Sequence, residues 1–198
     1  MIGIVNYGVG NLGSLRNALD FLDIPNIVSE NPDNLSECHG LILPGVGAFP
    51  PAMKKLKALN LDSFLKAWVS KGYPLLGICL GMQLLLTESE EGELHEGLGI
   101  ISGRVTKMKE TPRSVHIGWN LVKPRIFNQL LPFPGYAYFV HSYTCWPAVS
   151  DHVIGETPYG SIFPSFIQSG NVIGVQFHPE KSQEFGLQIL LRFKDETV

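Results

Sequence analysis

The chain has 198 residues, 44% hydrophobic and 17% charged, with a net charge of −3. That length suffices for one compact unit spanning 1–198 with a substantial core, and the composition excludes an intrinsically disordered chain. The weak negative charge gives no electrostatic footprint for nucleic acid or an anionic membrane, and no apolar run reaches transmembrane length.

The start, MIGIVNYG, lacks the basic flank and cleavage region of a secretory signal. Three cysteines, Cys38, Cys79 and Cys145, are odd in number and far apart, which argues against a disulfide framework or a zinc site and predicts a reducing, cytoplasmic setting without a metal.

Met1 to Tyr7 is a β-prone apolar run. After Gly8-Val9-Gly10, Leu12, Leu15, Leu19 and Leu22 recur at helical spacing, so the chain opens with a βα unit. Pro25 ends that helix, Ile27 and Val28 predict a brief second strand, and Asn31-Pro32-Asp33 opens a short helical turn. Gly40 to Leu43 is a buried third strand running into Pro44-Gly45-Val46-Gly47. Phe49 to Lys71 carries two helical segments, with Leu56, Leu59, Phe64, Leu65 and Trp68 facing the core. Pro74 to Leu86, PLLGICLGMQLLL, reads as a fourth buried strand, a sharp turn, and the start of a helix over Leu80 to Leu86. Strands separated by helices imply a mostly parallel, doubly wound sheet, with function at the carboxyl ends of its strands.

Glu88 to Gly97 reads as an acidic loop. Beyond it the texture is β-rich: Gly103 to Met108, Val115 to Val122, Tyr136 to Val140, His152 to Glu156 and Ser161 to Ile167 predict a mixed or antiparallel extension. Ser169-Gly170-Asn171 is a hairpin turn into a last apolar strand, Val172 to Phe177. His178-Pro179-Glu180 follows, and Ser182 to Phe193 is an amphipathic helix with Phe185, Ile189, Leu190 and Phe193 inward. The expected class is α/β, a doubly wound sheet flanked by helices and extended by further β structure.

Cys79 falls where the fourth strand meets its helix. A nucleophile in such an elbow sits on strained backbone, and the residues two before and two after it must be small because helix and strand pack hard together. Gly77 and Gly81 occupy those places. Free N–H groups and the dipole at the helix N-terminus favour a thiolate. A thiolate needs a base, and His178 follows a strand of the same sheet edge. Glu180, two residues on along an extended backbone, can accept its other N–H. His141, at the end of YFVHSY, is the alternative base or, equally, a strand-end histidine satisfied by backbone. For the developing oxyanion, the N–H of Leu80 supplies one donor and the 44–47 loop, at Val46, a second; Gly45 and Gly47 lower the barrier to turning that peptide into the site.

GICLGMQ around Cys79, HPE after a late apolar strand, and PGVGAF together resemble the class I (triad) glutamine amidotransferases, as does the 99-residue separation of Cys79 and His178. NYGVGNLGS, VHIGWN, YFVHSY and HPEKS narrow the resemblance to the glutaminase subunits of imidazole glycerol phosphate synthases, over residues 2 to about 185. One departure is Val115, where that group commonly has proline.

The resemblance implies that Cys79 attacks the glutamine side-chain amide, that His178 shuttles the proton and that Glu180 orients it. Gly47, Gln83, Ser142 and Tyr143 would contact substrate, with Glu91 a partner for its α-ammonium. With the chain ending at Val198, the ammonia acceptor is expected to be a separate cyclase subunit built as a (β/α)₈ barrel, forming a heterodimer with this chain through Asn11, Trp119, Tyr138 and Lys181. No organic cofactor is implied. A glutaminase subunit serving another amidotransferase, a stand-alone cysteine hydrolase with the same elbow, and a non-enzymatic interaction subunit remain open alternatives.

Overall fold

The computed structural model describes residues 1–109 and 111–197. β1 (Ile2–Val5) leads through Gly8 and Gly10, both at positive φ, into α1 (Leu12–Phe21), whose N-cap Asn11 accepts from the Ser14 N–H. β2 (Asn26–Ser29), α2 (Pro32–Ser36, capped by Asn31) and β3 (Gly40–Leu43) follow. Then come α3 (Phe49–Ala58), α4 (Leu61–Ser70), β4 (Leu75–Ile78) and α5 (Leu80–Leu84).

The second half holds β5 (Leu86–Ser89), β6 (His95–Glu96), β7 (Ile101–Lys107), β8 (His116–Pro124), β9 (Gly135–His141) and β10 (Tyr143–Pro147). β11 (Val153–Tyr159), β12 (Ser161–Ser169), β13 (Val172–Val175) and α6 (Gln183–Asp195) complete the chain.

Side by side run β2, β1, β3, β4, β13, β12, β11, β8 and β9. The first five are parallel; from β13 to β9 every pairing is antiparallel. Side chains of the parallel strands alternate between two cores, as the period of two requires. Val5, Leu41, Leu43 and Leu75 pack with α2 to α5, whereas Ile4, Ile42, Leu76 and Ile78 pack with α1 and α6. Helices on both faces make the sheet doubly wound, and the antiparallel strands are its expected extension. No helix among the described residues is long and apolar enough to cross a membrane.

Three expectations change. The helix after Cys79 stops at Leu84, because Leu86 enters β5 and pairs in parallel with Ile101 of β7. The acidic stretch after it is not wholly loop, since β5 and β6 join β7 and β10 in a second sheet. Within 88–97 alternation is masked by charge, and only the pairing partners reveal the strands. Leu59 and Phe64 are partly buried rather than central, while Leu56, Leu65 and Trp68 are buried as expected. The Gly170-Asn171 turn does join an antiparallel pair, β12 and β13.

Candidate active site

The carboxyl ends of β1, β3, β4 and β13 share one edge, which gathers the 6–11, 44–47, 79–80 and 176–181 segments. At the end of β4, Cys79 has φ 53° and ψ −110°, a conformation that costs a non-glycine residue energy and persists only when its surroundings enforce it. They do. A Cβ on Gly77 would lie 2.8 Å from the Gly81 backbone, and one on Gly81 would strike the Leu43 carbonyl, so α5 rests directly on β4 and β3. Leu80 is the first residue of α5, and its N–H has no place in the helix's own hydrogen-bond ladder.

His178 follows the strand β13. Its Nδ1 lies 2.8 Å from Glu180 Oε1, and both side chains are nearly sealed from solvent, at 3% and 4% exposure. Glu180 arrives there by a 3₁₀ turn over Pro179–Lys181, not by the extended backbone expected; Pro179 supplies the φ such a turn needs. Burial alone disfavours an imidazolium, but contact with Cys79 and with the Glu180 carboxylate outweighs it and lifts His178 to about 10. Nε2 makes no conventional hydrogen bond, which leaves it for the proton of Cys79 or of a ligand on it.

On the open side of Cys79 lies a cavity of about 260 Å³, room for a molecule of amino-acid size. Every other residue expected at oxyanion or substrate lines it: Val46, Gly47, Leu80, Gln83, Glu91, Ser142 and Tyr143. Gly47 has φ 94° and Val46 is 41% exposed, so these two residues stand free beside the cavity, while Gly45 is buried against Tyr7 and Leu80. Glu91 Oε2 accepts from the Phe49 N–H at 2.8 Å. It thereby caps α3, whose own N-cap residue, Ala48, has no side chain able to do so. Glu91 also helps burial hold the Tyr143 phenol protonated. No cluster of three or more metal-ligating side chains occurs among the described residues.

His141 is not placed to act as a base. Its Nδ1 donates to the Tyr143 carbonyl at 2.8 Å, and its Nε2 accepts from His116 Nδ1 at 3.0 Å. His116 Nε2 in turn accepts from Asn120, whose amide is oriented by donating to the Pro158 carbonyl. Carbonyls at both ends fix every tautomer along this chain. Burial draws His141 down to about 3 and His116 to about 4.

The expected partner residues converge on one rim. Trp119 on β8 pairs across the strands with Tyr138 on β9, their rings 6.2 Å apart, and Lys181 Nζ sits 5.8 Å over the Tyr138 ring. Trp119 is 48% exposed and is therefore not a core residue. The Tyr138 backbone is joined to the His178 segment twice: its carbonyl accepts from the His178 N–H, and its N–H donates to Ser182 Oγ. Asn11 faces Glu180 and His178 across a small cavity of about 10 Å³.

Residues 4–194 match the family described as glutamine amidotransferase class-I. The chain belongs to this family. It is 47% identical to the imidazole glycerol phosphate synthase subunit HisH of Bacillus licheniformis, over 100% of this chain and 97% of that one. It is 41% identical to the subunit of the same name from Oceanobacillus iheyensis, over 98% of each. Among solved structures it resembles a glutamine amidotransferase with a TM-score of 0.80 at 19% identity, covering 99% of this chain and 98% of the other. Another glutamine amidotransferase, from Thermotoga maritima, superposes with a TM-score of 0.66 at 17% identity, over 98% and 82% of the two chains. These distant likenesses establish the fold.

Three residues of this amidotransferase escaped the sequence reading. Tyr7, fully buried, donates its phenol to the Pro44 carbonyl at 2.7 Å and pins the start of the 44–47 loop; burial first, then Cys79, keep that phenol protonated. His116 and Gln176 are buried polar links in side-chain networks. Gln176 did leave a signal, being the one amide in the apolar run 172–177.

Proposed function

We propose that this chain hydrolyses glutamine to glutamate and ammonia as one subunit of an imidazole glycerol phosphate synthase of histidine biosynthesis, working in the cytoplasm as a single domain. The observation that carries the reading is the buried Cys79–His178–Glu180 array opening on a cavity of amino-acid size, in a chain related along its whole length to HisH subunits.

Cys79 Sγ attacks the side-chain amide carbon. The oxyanion takes the Leu80 N–H and a peptide N–H of the Val46 loop, while His178 Nε2 delivers a proton to the departing ammonia. Water, deprotonated by the same nitrogen, then cleaves the thioester to release glutamate and restore the thiolate. Glu180 holds Nδ1–H throughout, so the transferring nitrogen is always Nε2. Gly47, Gln83, Glu91, Ser142 and Tyr143 hold the amino-acid end of the substrate.

Ammonia goes to a separate cyclase subunit docked over Asn11, Trp119, Tyr138 and Lys181, which forms imidazole glycerol phosphate and aminoimidazole carboxamide ribotide. The loop carrying Val46 completes the oxyanion hole when that partner is loaded, which withholds glutamine hydrolysis until an acceptor is ready.

Glutamate release tests this reading, measured for the chain alone, with the cyclase subunit, and with cyclase plus its nucleotide ligand. Activity should rise along that series by on the order of 10²-fold or more, the value of one oxyanion donor, and vanish in Cys79→Ala. Equal rates in all three conditions remove the gating; turnover by Cys79→Ala removes the mechanism.

A further inference from the structure

Gln176 is completely buried between the end of β13 and His178, yet it takes no part in the triad. Its Nε2 lies 3.7 Å from Cys79 Sγ, and its Oε1 lies 3.3 Å from Gln83 Nε2. Which end of each amide faces which neighbour follows from one group. The Tyr143 carbonyl can only accept, and Gln83 approaches it at 3.3 Å, so the approaching end of Gln83 is its NH₂. The second hydrogen of that NH₂ points at Gln176, so the end of Gln176 it meets must be oxygen. The NH₂ of Gln176 is thereby turned onto the sulfur.

We propose that the Gln176 carboxamide, oriented through Gln83 by the Tyr143 carbonyl, is a dedicated donor to Cys79 Sγ that holds the nucleophile as a thiolate. The inference rests on Cys79 being the nucleophile. An amide N–H bonds an anionic sulfur far better than a neutral thiol, so the contact strengthens whenever Sγ carries charge, as it does when the thioester breaks and sulfur leaves. His178 cannot supply this alone, because its proton must move away to the departing ammonia while the amide's protons stay.

The other titratable groups around the sulfur do not compete. Tyr7 from the loop after β1 and Cys145 from β10 are held in their neutral forms, chiefly by burial and further by Cys79 itself. His141 from β9 is neutral with both ring nitrogens bonded. Glu180 faces the far side of His178. Gln176 is therefore a fixed, uncharged donor on a sulfur whose one cationic neighbour among the described residues is His178.

The test is the pH profile of Cys79 alkylation by iodoacetamide, followed by mass spectrometry on the full chain and with Gln176→Met and Gln176→Glu. Met matches the length of glutamine and removes the donor; it should move the profile up by about one pH unit and slow alkylation about tenfold below the midpoint. Glu adds a negative charge and should move it further. A merely structural role for Gln176 predicts no such order, and a Gln176→Met profile that superimposes on the parent overturns the proposal.

Should these variants fold poorly, the parent chain labelled with ¹⁵N-glutamine supplies the readout. The Gln176 NH₂ resonances should titrate with the Cys79 alkylation profile and shift when Cys79 is alkylated, whereas resonances indifferent to both overturn the proposal. Alkylation reports the thiolate and not turnover. A parent chain that fails to hydrolyse glutamine but keeps the Gln176 shift would therefore refute the proposed activity and support this donor.

Discussion

Replacing Gly81 by alanine should damage stability and turnover together. The new Cβ would lie closer to the Leu43 carbonyl oxygen than any ordinary contact, 2.8 Å from the Leu43 carbonyl carbon and 3.4 Å from the Pro44 carbonyl carbon. All three obstacles are backbone, so no rotamer change relieves them. Restoring an ordinary contact of ~3.5 Å with the Leu43 oxygen requires α5 and the end of β3 to separate by more than about an ångström. Overpacking of this kind costs about 1–3 kcal/mol, and the absence of a flexible neighbour places Gly81→Ala near 3. For a chain of this length that is a fall in Tm of roughly 10 °C.

The same displacement moves Cys79 and Leu80 on one side and the Pro44–Gly47 loop on the other, the two places from which the proposed oxyanion donors come. A misplacement near 1 Å costs about 10²-fold in rate. Urea and thermal unfolding, with glutamate release in the presence of the cyclase subunit, measure both effects. Gly13→Ala is the control: it sits in α1 with nothing within 4 Å, and should leave stability within about 0.5 kcal/mol of the parent or raise it. A Gly81→Ala protein within 1 kcal/mol of the parent, turning over at the parental rate, would refute the reasoning that the elbow's packing holds the site.

Glu180→Gln should lower turnover by about 10²-fold or more, and an NMR titration should find His178 well below its present value of about 10, since the adjacent carboxylate charge is gone; an unmoved titration would dissociate Glu180 from the base. Lys181→Ala with Trp119→Ala should weaken association with the cyclase subunit at least tenfold by calorimetry while leaving the isolated chain folded, and unchanged affinity would remove the docking rim.

Stability should depend on pH at both ends. His116 and His141 stand at about 4 and about 3, below the 6.5 of a free imidazole, so the unfolded chain binds protons first and stability falls as pH drops from 6.5 toward 3. His178 is shifted the other way. Its contribution is complete below pH 6.5 and is lost as pH rises through about 10. Urea midpoints across pH 3.5–10.5 should trace both limbs, and His116→Gln should flatten only the acid one; an acid limb of equal slope in that variant would assign it elsewhere.

Much of this protein was legible in the chain alone because the relevant signals are local. A run such as LLGI between turn residues is a buried strand wherever it is placed, and glycines two before and two after Cys79 announce a close helix–strand contact whatever else surrounds them. The same holds for the Gly170-Asn171 turn, whereas His178 and Glu180 gained meaning only beside the Cys79 elbow. The second sheet was not legible, because β5 and β6 acquire their conformation from pairing with β7, and the charged sequence of 88–97 has no preference strong enough to declare it.

The turn that brings Glu180 to His178, the Glu91 cap on α3 and the hydrogen-bond chains through His116, His141, Gln83 and Gln176 were equally out of reach. The first depends on the backbone conformation after β13, and the others join groups distant in sequence or depend on which lone pair or N–H remains unused once the backbone has packed. Residue type states what a side chain can donate or accept, but only the folded neighbourhood decides to whom. That is why the sequence left His141 between a second base and a strand-end histidine bonded to backbone, and only the structure makes it the latter, a neutral link bonded at both nitrogens.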